Sequence, residues 1–476
     1  MKYSLLILIA SSTLLFAEQK PNILFVFADD MSLDAIGSSG RTCVKTPHLD
    51  KLRASGANFS HSYNMGAWNG AVCMASRAML VSGAFINRAE KAVVEQITWP
   101  QMMEKAGYTT YMTGKWHIKT KAEKIFNHVK DVRPGMPRDV AEGYNRPLSP
   151  EDYETGWKPW DKSKGGFWKG GTHWSEVVAN NAIEFLNEAK KDTKPFFMYI
   201  AFNATHDPRQ APKEYIDMYP LKDIKVPVNF LPNYPYDNAI GCPPKGLRDE
   251  KLMPSPRTEY AVKVHRQEYF ALATYMDVQI GRIFEALEQS GMADNTYIIF
   301  TADHGLAVGC HGLVGKQSMY DHSMRVPFFI SGPGIKPAAE FDMPIYLQDA
   351  MATALEIAKT EKPAHVEFKS ILPLIRGEKK VQYESIYGKY INKQRMIAKG
   401  DYKLMMYPTA QKMRLFNTTK DPEEMTDLAD NPEFKDTLNS LKTEFLKLQK
   451  VMADDLDVDV IPAEKKKGKA KPKKKK

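Results

Sequence analysis

The 476-residue sequence predicts a large α/β protein in which helices cover both faces of a mostly parallel sheet. A smaller antiparallel sheet and one helix follow at the C-terminal end. Largely apolar runs at 22–28, 196–202 and 297–302 have the composition of strands that are buried on both faces. Segments with helical spacing alternate with these runs. Beyond about residue 370 the apolar segments become short and alternating, which is typical of an antiparallel sheet.

Glycine and capping residues in the sequence mark the ends of most of the predicted elements. Glycines end three of the helices and a serine provides a candidate N-cap for a fourth. The Pro-rich segment 207–258 has no clear period and is interpreted as a long, loop-like insertion. The predicted strands are 22–28, 108–113, 196–202 and 297–303; the predicted helices are 47–57 (ended by Gly56), 100–106 (ended by Gly107), 175–191 (N-capped by Ser175), 259–290 (ended by Gly291) and 433–452.

Composition excludes several classes of protein. Hydrophobic residues make up 43% and aromatic residues 11% of the chain, which is enough for a sizeable core and excludes a wholly disordered protein. No apolar run after residue 17 reaches the roughly 20 residues of a membrane-spanning helix, so a polytopic membrane protein and a transmembrane segment are excluded. Four scattered cysteines are too few for a disulfide scaffold or a zinc module.

The first 17 residues, MKYSLLILIASSTLLFA, are interpreted as a secretory signal peptide. Lys2 supplies a positive start, an apolar stretch follows, and Ala17 is a small residue at a plausible cleavage point. A buried N-terminal strand is the alternative. Export predicts a secreted or periplasmic protein, in which an unpaired cysteine requires an explanation.

The net charge of +9 comes from the C-terminal end. Nine of the 66 basic residues lie in 465–476, and the remaining 57 balance the 57 acidic residues. Residues 456–476 are therefore predicted to be a disordered, Lys-rich tail that is solvated or binds a polyanion such as an acidic polysaccharide or a membrane surface. Nothing in the neutral body supports nucleic acid as a partner.

Polar side chains collect where the predicted strands end. Asp29 and Asp30 follow the first strand, His206 follows the second, and Asp303 ends the third. Ligands gather at the C-terminal ends of parallel strands. Adjacent buried carboxylates repel each other and favour a hard divalent cation with oxygen ligands. The alternative for the Asp-Asp pair is a helix cap beside a surface acid.

Cys73 lies just before a predicted helix and is followed by Arg77. A cysteine at a helix N-terminus beside an arginine is expected to be acidified and reactive. A buried structural cysteine is the alternative. A cysteine protease would also use a thiol and a histidine, but it gives no reason for the carboxylate cluster.

Further basic side chains lie on the predicted strand-end loops. Lys115 and His117 are two residues apart after the strand at 108–113, and Lys316 lies in a later loop. Each is a weak signal alone, since most lysines are solvated and most histidines are structural. Together with the acids and Arg77 they suit a divalent cation and an anionic, tetrahedral substrate group.

Six motifs occur in an order that resembles the type I sulfatases of the alkaline phosphatase superfamily. They are PNILFVFADDM, TPHLDKL, CMASR, GYTTYMTGKWH, TADHG and HGLVGKQSMYDHSMRVP. KGDYKLM and LFNTTKDPEEMTDLADNP are similar to that family's C-terminal subdomain. The resemblance covers about 21–450. It implies an alkaline phosphatase-like fold divided into a signal peptide (1–17), a catalytic domain (18–370), a C-terminal subdomain (371–455) and the tail (456–476).

The resemblance also implies a role for each residue of the site. Cys73 is oxidised to formylglycine, whose hydrated aldehyde attacks sulfur and then expels sulfate with its second hydroxyl. Ca²⁺, less often Mg²⁺, is the metal. The implied metal ligands are Asp29, Asp30, Asp303 and His304; Arg77 and Lys115 steady formylglycine and sulfate, His117 is the base, and His206 and Lys316 bind sulfate and protonate the departing alcohol.

One position departs from the usual maturation signal Cys-x-Pro-x-Arg. Ala75 stands where that pattern has proline. The Cys-x-Ala-x-Arg form is known in the family, particularly with the anaerobic radical maturation enzyme. The implied partner is therefore a formylglycine-generating enzyme, possibly of the radical type.

The substrate class follows from weaker signals. Trp157, Trp160, Trp168 and Trp174 lie close together with glycines and lysines between them, which suits a sulfated sugar or, alternatively, an insertion with its own small core. Trp68 and Asn69 are further candidates for substrate binding. Export and the basic tail favour a sulfated carbohydrate or polysaccharide. Phosphodiester or phosphonate monoester hydrolysis and a non-catalytic, glycan-binding homologue are the alternatives.

Overall fold

A computed structural model describes residues 20–133, 141–152, 156–168 and 170–459. The predicted signal peptide, residues 1–17, and residues 460–476 of the predicted tail lie outside the described residues. The described strands are β1 Asn22–Ala28, β2 Ala57–Phe59, β3 Ser62–Tyr63, β4 Gly66–Ala67, β5 Thr109–Lys115, β6 His128–Arg133, β7 Phe196–Ala201, β8 Thr296–Ala302, β9 Arg325–Val326, β10 Phe328–Ser331, β11 Ala339–Phe341, β12 Ile345–Tyr346, β13 Ile386–Tyr390, β14 Gln394–Lys399, β15 Tyr402–Tyr407 and β16 Lys412–Asn417.

Helices alternate with these strands along the first three quarters of the chain. They are α1 Pro47–Ser55, α2 Val72–Ser82, α3 Ile86–Glu95, α4 Trp99–Lys105, α5 Trp174–Ala189, α6 Lys213–Asp217, α7 Asp237–Ile240, α8 Glu259–Ser290, α9 Asp321–Met324, α10 Asp349–Ile357, α11 Leu372–Ile375 and α12 Lys435–Val451.

The large sheet contains eight strands in the order β11-β2-β10-β8-β1-β7-β5-β6. β1 lies between β8 and β7 and pairs with both in parallel, while β10 is antiparallel to its neighbours β8 and β2. Every residue of β1 is buried, as expected of a strand with both faces covered. The predicted α/β class with a mostly parallel sheet is confirmed.

Two groups of helices cover the large sheet. α1, α5 and α6 pack against the long helix α8, whereas α3, α4 and α10 pack around α2. Two local predictions differ from the structure. The N-cap of α5 is His173 rather than Ser175, and the His173 ring accepts a hydrogen bond from the Ser175 N–H. β5 continues through Lys115, so this side chain lies at the strand's end and not on the loop after it.

The smaller sheet has the order β16-β15-β14-β13-β4. β13 to β16 form the predicted antiparallel sheet, and α12 packs against it. β4 was not predicted. It comes from the loop just before α2, and it pairs in parallel with β13 through Gly66 opposite Lys389 and Ala67 opposite Tyr390.

The tryptophan-rich segment packs into the protein. Trp157 is 3% exposed and Trp174 is 2% exposed, while Trp160 and Trp168 are partly buried against the main core. The guanidinium groups of Arg146 and Arg133 lie over the rings of Trp157 and Trp174 at 4.6 and 3.7 Å. Packing therefore accounts for Trp157 and Trp174, and neither presents a sugar-binding face. Within the described ranges, no helix has both the length and the apolar character needed to cross a membrane.

Gly114 allows β5 and β7 to approach each other immediately before Lys115. Its φ is +93°, and a Cβ at this position would lie 1.8 Å from the Ala201 carbonyl oxygen. We expect Gly114→Ala to lower the free energy of unfolding by more than about 4 kcal/mol, since left-handed strain adds to a backbone clash. Urea denaturation checks this.

Gly107→Ala is the matched control, because Gly107 has a φ of +92° but no atom within 4 Å of the added Cβ. It tests the strain alone, and a cost of about 1 kcal/mol is expected. Equal effects of the two substitutions would show that the clash at Gly114 is relieved at little cost.

Candidate active site

The ends of neighbouring strands bring the predicted residues together. β1 delivers Asp29 and Asp30, and β8, which pairs with β1 along its whole length, delivers Asp303 and His304. β7, on the other side of β1, leads to His206. The N–H of Asp30 donates to Asp303 Oδ1 at 3.0 Å, which ties the first and third strand ends together.

Two lysines contact the adjacent carboxylates. Lys115 at the end of β5 pairs with Asp29, and both side chains are fully buried. Lys316 Nζ donates to Asp30 Oδ1 at 2.6 Å. Burial opposes ionisation, but the Lys115 ammonium, with His206, Arg77 and Lys316, holds the pKa of Asp29 well below its usual range. Asp29 Oδ1 nevertheless has no hydrogen-bond partner.

Arg77 links the third carboxylate to the end of β5. Its Nε donates to Asp303 Oδ2 at 2.9 Å and one terminal nitrogen donates to the Lys115 carbonyl oxygen at 2.8 Å. The side chain is fully buried and lies over the Phe27 ring. Burial and the Asp29 carboxylate raise the pKa of Asp303 to about 6. The acids are thus crowded enough to disfavour full ionisation without cationic partners.

Cys73 is the second residue of α2 and is buried. Its Sγ lies 3.0 Å from Lys316 Nζ and 3.5 Å from Asp30 Oδ1. The prediction of an acidified thiol is wrong. Burial and the carboxylates Asp29, Asp30 and Asp303 raise the pKa of the Cys73 thiol well above its usual value, which outweighs the helix N-terminus and the nearby cations. A thiolate nucleophile of the cysteine-protease type is therefore disfavoured.

Four of these side chains have atoms that can hold a metal ion. One ligand atom from each of Asp29, Asp30, Cys73 and His206 lies within 4.8 Å of the others. His206 thus belongs to the potential ligand group by geometry. His304 is not one of these four residues. Its Nε2 lies 3.1 Å from the Asn64 side-chain nitrogen and its Nδ1 lies 3.4 Å from the Ser323 carbonyl oxygen.

His117 follows β5 with a φ of +54° and has a buried Nδ1 without a hydrogen-bond partner. Burial and the cations Lys115 and Arg77 lower its pKa to about 3. The ring is therefore neutral near pH 7.

Trp68 and Asn69 lie on the connection between β4 and α2. The Asn69 side-chain oxygen accepts a hydrogen bond from the Ala71 N–H at 2.8 Å, and the Trp68 indole N–H has no partner. No hydrogen bond among the described residues joins either side chain to the carboxylate cluster. Their role in substrate binding stays a prediction.

Sequence reasoning missed the residues that surround this cluster. Asp207 directly follows His206 and lies 2.9 Å from its Nδ1, so its position in the sequence was a usable signal. Arg248 and Asp249 come from the Pro-rich insertion, which carries no periodic pattern. Asn64 and Gln317 complete the surroundings through hydrogen bonds to the Asp303 carbonyl oxygen and to Asp249.

The fold and the clustered strand-end residues define a hydrolase of the alkaline phosphatase superfamily. Residues 21–360 match the family described as sulfatase, and residues 309–451 match the family described as N-sulphoglucosamine sulphohydrolase, C-terminal. The chain belongs to the sulfatase family and is a sulfuric ester hydrolase.

Curated relatives agree with this assignment, and a solved structure shares the fold. An arylsulfatase of Clostridium perfringens is 27% identical, with 90% of this chain and 94% of the relative covered. An ulvan-active sulfatase of Formosa agariphila is 26% identical, with 91% and 81% covered. A protein solved with its substrate D-glucosamine-2-N,6-O-disulfate has a TM-score of 0.73 at 22% identity, with 93% of this chain and 99% of that chain covered.

Proposed function

We propose that this sulfatase removes sulfate esters from a carbohydrate or polysaccharide, with a formylglycine made from Cys73 and a bound Ca²⁺. Three similar proteins support the substrate class: the ulvan-active sulfatase, an N-acetylglucosamine-6-O-sulfatase of Bacteroides thetaiotaomicron, and the protein solved with a glucosamine disulfate. The single observation that carries the mechanism is the position of Cys73. Its buried sulfur lies at a helix N-terminus, among carboxylates and against Lys316.

The residues present fit a hard divalent cation. Asp29, Asp30 and Asp303 supply buried carboxylate oxygens, and Asp29 Oδ1 has no hydrogen-bond partner that a cation would have to displace. Oxygen-rich sites favour Ca²⁺, while Mg²⁺ demands a stricter octahedral arrangement. His304 would be a fourth ligand in place of its contact with Asn64. The cation would supply positive charge that acidifies the nucleophile and offsets charge on the sulfate oxygens.

The chain's own cationic side chains would bind and orient the sulfate group. Lys115, Arg77 and Lys316 converge on the buried cluster around position 73. Fixed positive charges in a water-poor site stabilise developing negative charge without reorganisation. Formylglycine would supply a hydrated aldehyde, whose one hydroxyl attacks sulfur and whose other allows sulfate to be expelled.

Two histidines would transfer protons: one would accept a proton from the nucleophile and the other would donate one to the departing alcohol. His117, whose Nδ1 has no hydrogen-bond partner in the protein, would accept the proton from the nucleophile's second hydroxyl. His206 would hold a proton on Nε2 for the departing alcohol, with Lys316 as a second donor. Asp207 supports this role, since it accepts from Nδ1 at 2.9 Å and fixes the ring.

Export and maturation complete the proposal. A signal peptide at 1–17 would take the protein to the periplasm or out of the cell. A maturation enzyme, possibly the anaerobic radical type, would oxidise Cys73 in its CMASR motif. The catalytic part would span 18–370 and a C-terminal subdomain 371–455. The Lys-rich end of the chain suits an anionic substrate better than a neutral one.

Mass spectrometry of the peptide that contains Cys73 tests the modification directly. Conversion of a thiol to an aldehyde lowers the peptide mass by about 18 Da. Protein purified from its native host is expected to carry this change, while Cys310, which is buried outside the cluster, is expected to stay unmodified. An unmodified thiol at position 73 in catalytically active protein contradicts the proposed nucleophile.

The choice between sulfate and phosphate chemistry is tested by paired substrates. A phosphonate monoester hydrolase of Agrobacterium radiobacter has a TM-score of 0.72 at 19% identity, with 91% of this chain and 96% of that chain covered, a likeness of fold alone. Aryl sulfate and aryl phosphate esters with the same leaving group isolate the transferred group. Faster hydrolysis of the phosphate ester would overturn the proposed substrate class.

A further inference from the structure

An arginine from the Pro-rich insertion reaches the edge of the proposed active site. Arg248 donates to Asp207 at 2.7 and 3.2 Å and also pairs with Asp249. Its side chain is 32% exposed, whereas those of both acids are 8% exposed. Arg248 is therefore the member of this group that is most open to solvent and to an incoming substrate.

This group contacts His206 directly and also contacts the residue that follows Lys316. Asp207 Oδ1 lies 2.9 Å from His206 Nδ1. Asp249 Oδ2 accepts a hydrogen bond from Gln317 Nε2 at 2.7 Å, and Gln317 is the residue after Lys316. The leaving oxygen would lie between His206 and Lys316. The rest of the leaving group would thus face Arg248 and Asp249.

The chemistry of the pair matches an alcohol that carries further hydroxyls. Both terminal nitrogens of Arg248 already donate to the acids and both Asp249 oxygens already accept, so two neighbouring hydroxyl groups of a substrate would share these donors and acceptors at the exposed edge of Arg248. Asp207, Arg248 and Asp249 together carry one net negative charge. A second sulfate would face this charge, while uncharged hydroxyls would not.

We propose that Arg248 and Asp249 determine specificity by binding free hydroxyls of a sugar beside its sulfated oxygen. The inference rests on the proposed function, because it assumes that His206 and Lys316 face the leaving group. It narrows the substrate to a sulfated sugar with a free hydroxyl on the adjoining carbon.

The test compares sugar and aryl substrates in Arg248→Lys, which keeps the charge but loses the fork. The probes are 4-methylumbelliferyl sulfate, which has no hydroxyl groups, and galactose and N-acetylglucosamine monosulfated at O3, O4 or O6. A hydrogen bond to a charged group strengthens binding about 10- to 100-fold. The value of kcat/KM on the best sugar is expected to fall at least about tenfold more than on the aryl ester.

Arg41→Lys is the matched control. Arg41 also bridges two carboxylates, Asp34 at 2.8 Å and Glu423 at 2.6 Å, and its side chain is 35% exposed. It is expected to leave both activities unchanged. If Arg248→Lys does not fold, as judged by its thermal unfolding, Asp249→Asn provides the same comparison with the acceptor altered.

The outcomes separate the two proposals. Equal losses on sugar and aryl esters overturn the inference alone, whereas a wild-type enzyme that acts on the aryl ester but on none of the sugars contradicts the proposed carbohydrate substrate as well. Faster turnover of a sugar with a second sulfate on the adjoining carbon also overturns it. A wild-type enzyme that releases no sulfate from any probe overturns the proposed function as well.

Discussion

Cys73→Ala is expected to reduce sulfate ester hydrolysis at least about 10⁴-fold, since removal of a catalytic nucleophile has effects of this size or larger. The substitution removes the Sγ that oxygen replaces on Cβ when a cysteine becomes formylglycine, so the aldehyde cannot be made at this position. Lys316 keeps its ion pair with Asp30, so the buried ammonium is not left alone. The free energy of unfolding should therefore change by only about 1 kcal/mol.

Sulfate release and urea denaturation measure the two effects separately. Cys310→Ala is the matched control, because Cys310 is also buried but lies outside the carboxylate cluster. It should show a similar change in stability with full activity. Activity retained in Cys73→Ala would mean that the nucleophile lies elsewhere.

Asp29→Asn is expected to have the second large effect, on both calcium binding and stability. Asp29 forms a fully buried ion pair with Lys115. Loss of one partner leaves a buried charge uncompensated and costs about 3–5 kcal/mol. The same change removes a proposed metal ligand. Calcium at 100 times its dissociation constant should stabilise the wild-type protein by about 2.7 kcal/mol, and this stabilisation should be absent in the variant.

Thermal unfolding in EDTA and in excess CaCl₂ checks this without reference to activity. Asp454→Asn is the control, because Asp454 forms a buried ion pair with Arg395 in which each side chain is 2% exposed. It should lose comparable stability in EDTA but keep the full response to calcium. A calcium response that survives in Asp29→Asn would exclude Asp29 as a ligand.

The sequence was sufficient for the central strands β1 and β7 of the large sheet because every residue in them is buried, whereas β6 and β11, which form its partly exposed edges, were not predicted. Runs such as NILFVFA and FFMYIA have no polar face, so their length and composition distinguish them from surface strands. The parallel order then brings their C-terminal ends together. That is why Asp29, Asp30, Asp303 and His206 could be placed near one another before any coordinates were known.

Other features depend on tertiary contacts that leave no local pattern. β4 is a two-residue strand, too short for any periodicity, and it exists because β13 lies beside it. The raised pKa of the Cys73 thiol depends on three carboxylates that are distant in sequence. Arg248 and Asp249 lie at the start of a single-turn 3-10 helix that no periodic pattern predicts, so only folding shows that they border the site.

The pairing of β4 with β13 also bears on the order of events during biosynthesis. Gly66 has a φ of +91°, and a Cβ there would lie 1.8 Å from the Lys389 carbonyl oxygen, so the two segments are closely apposed. The segment that leads into Cys73 thus reaches its final position only after residues more than 300 positions later have been synthesised. The proposed maturation enzyme would therefore meet Cys73 before β4 and β13 pair only if it acts on the nascent or unfolded polypeptide.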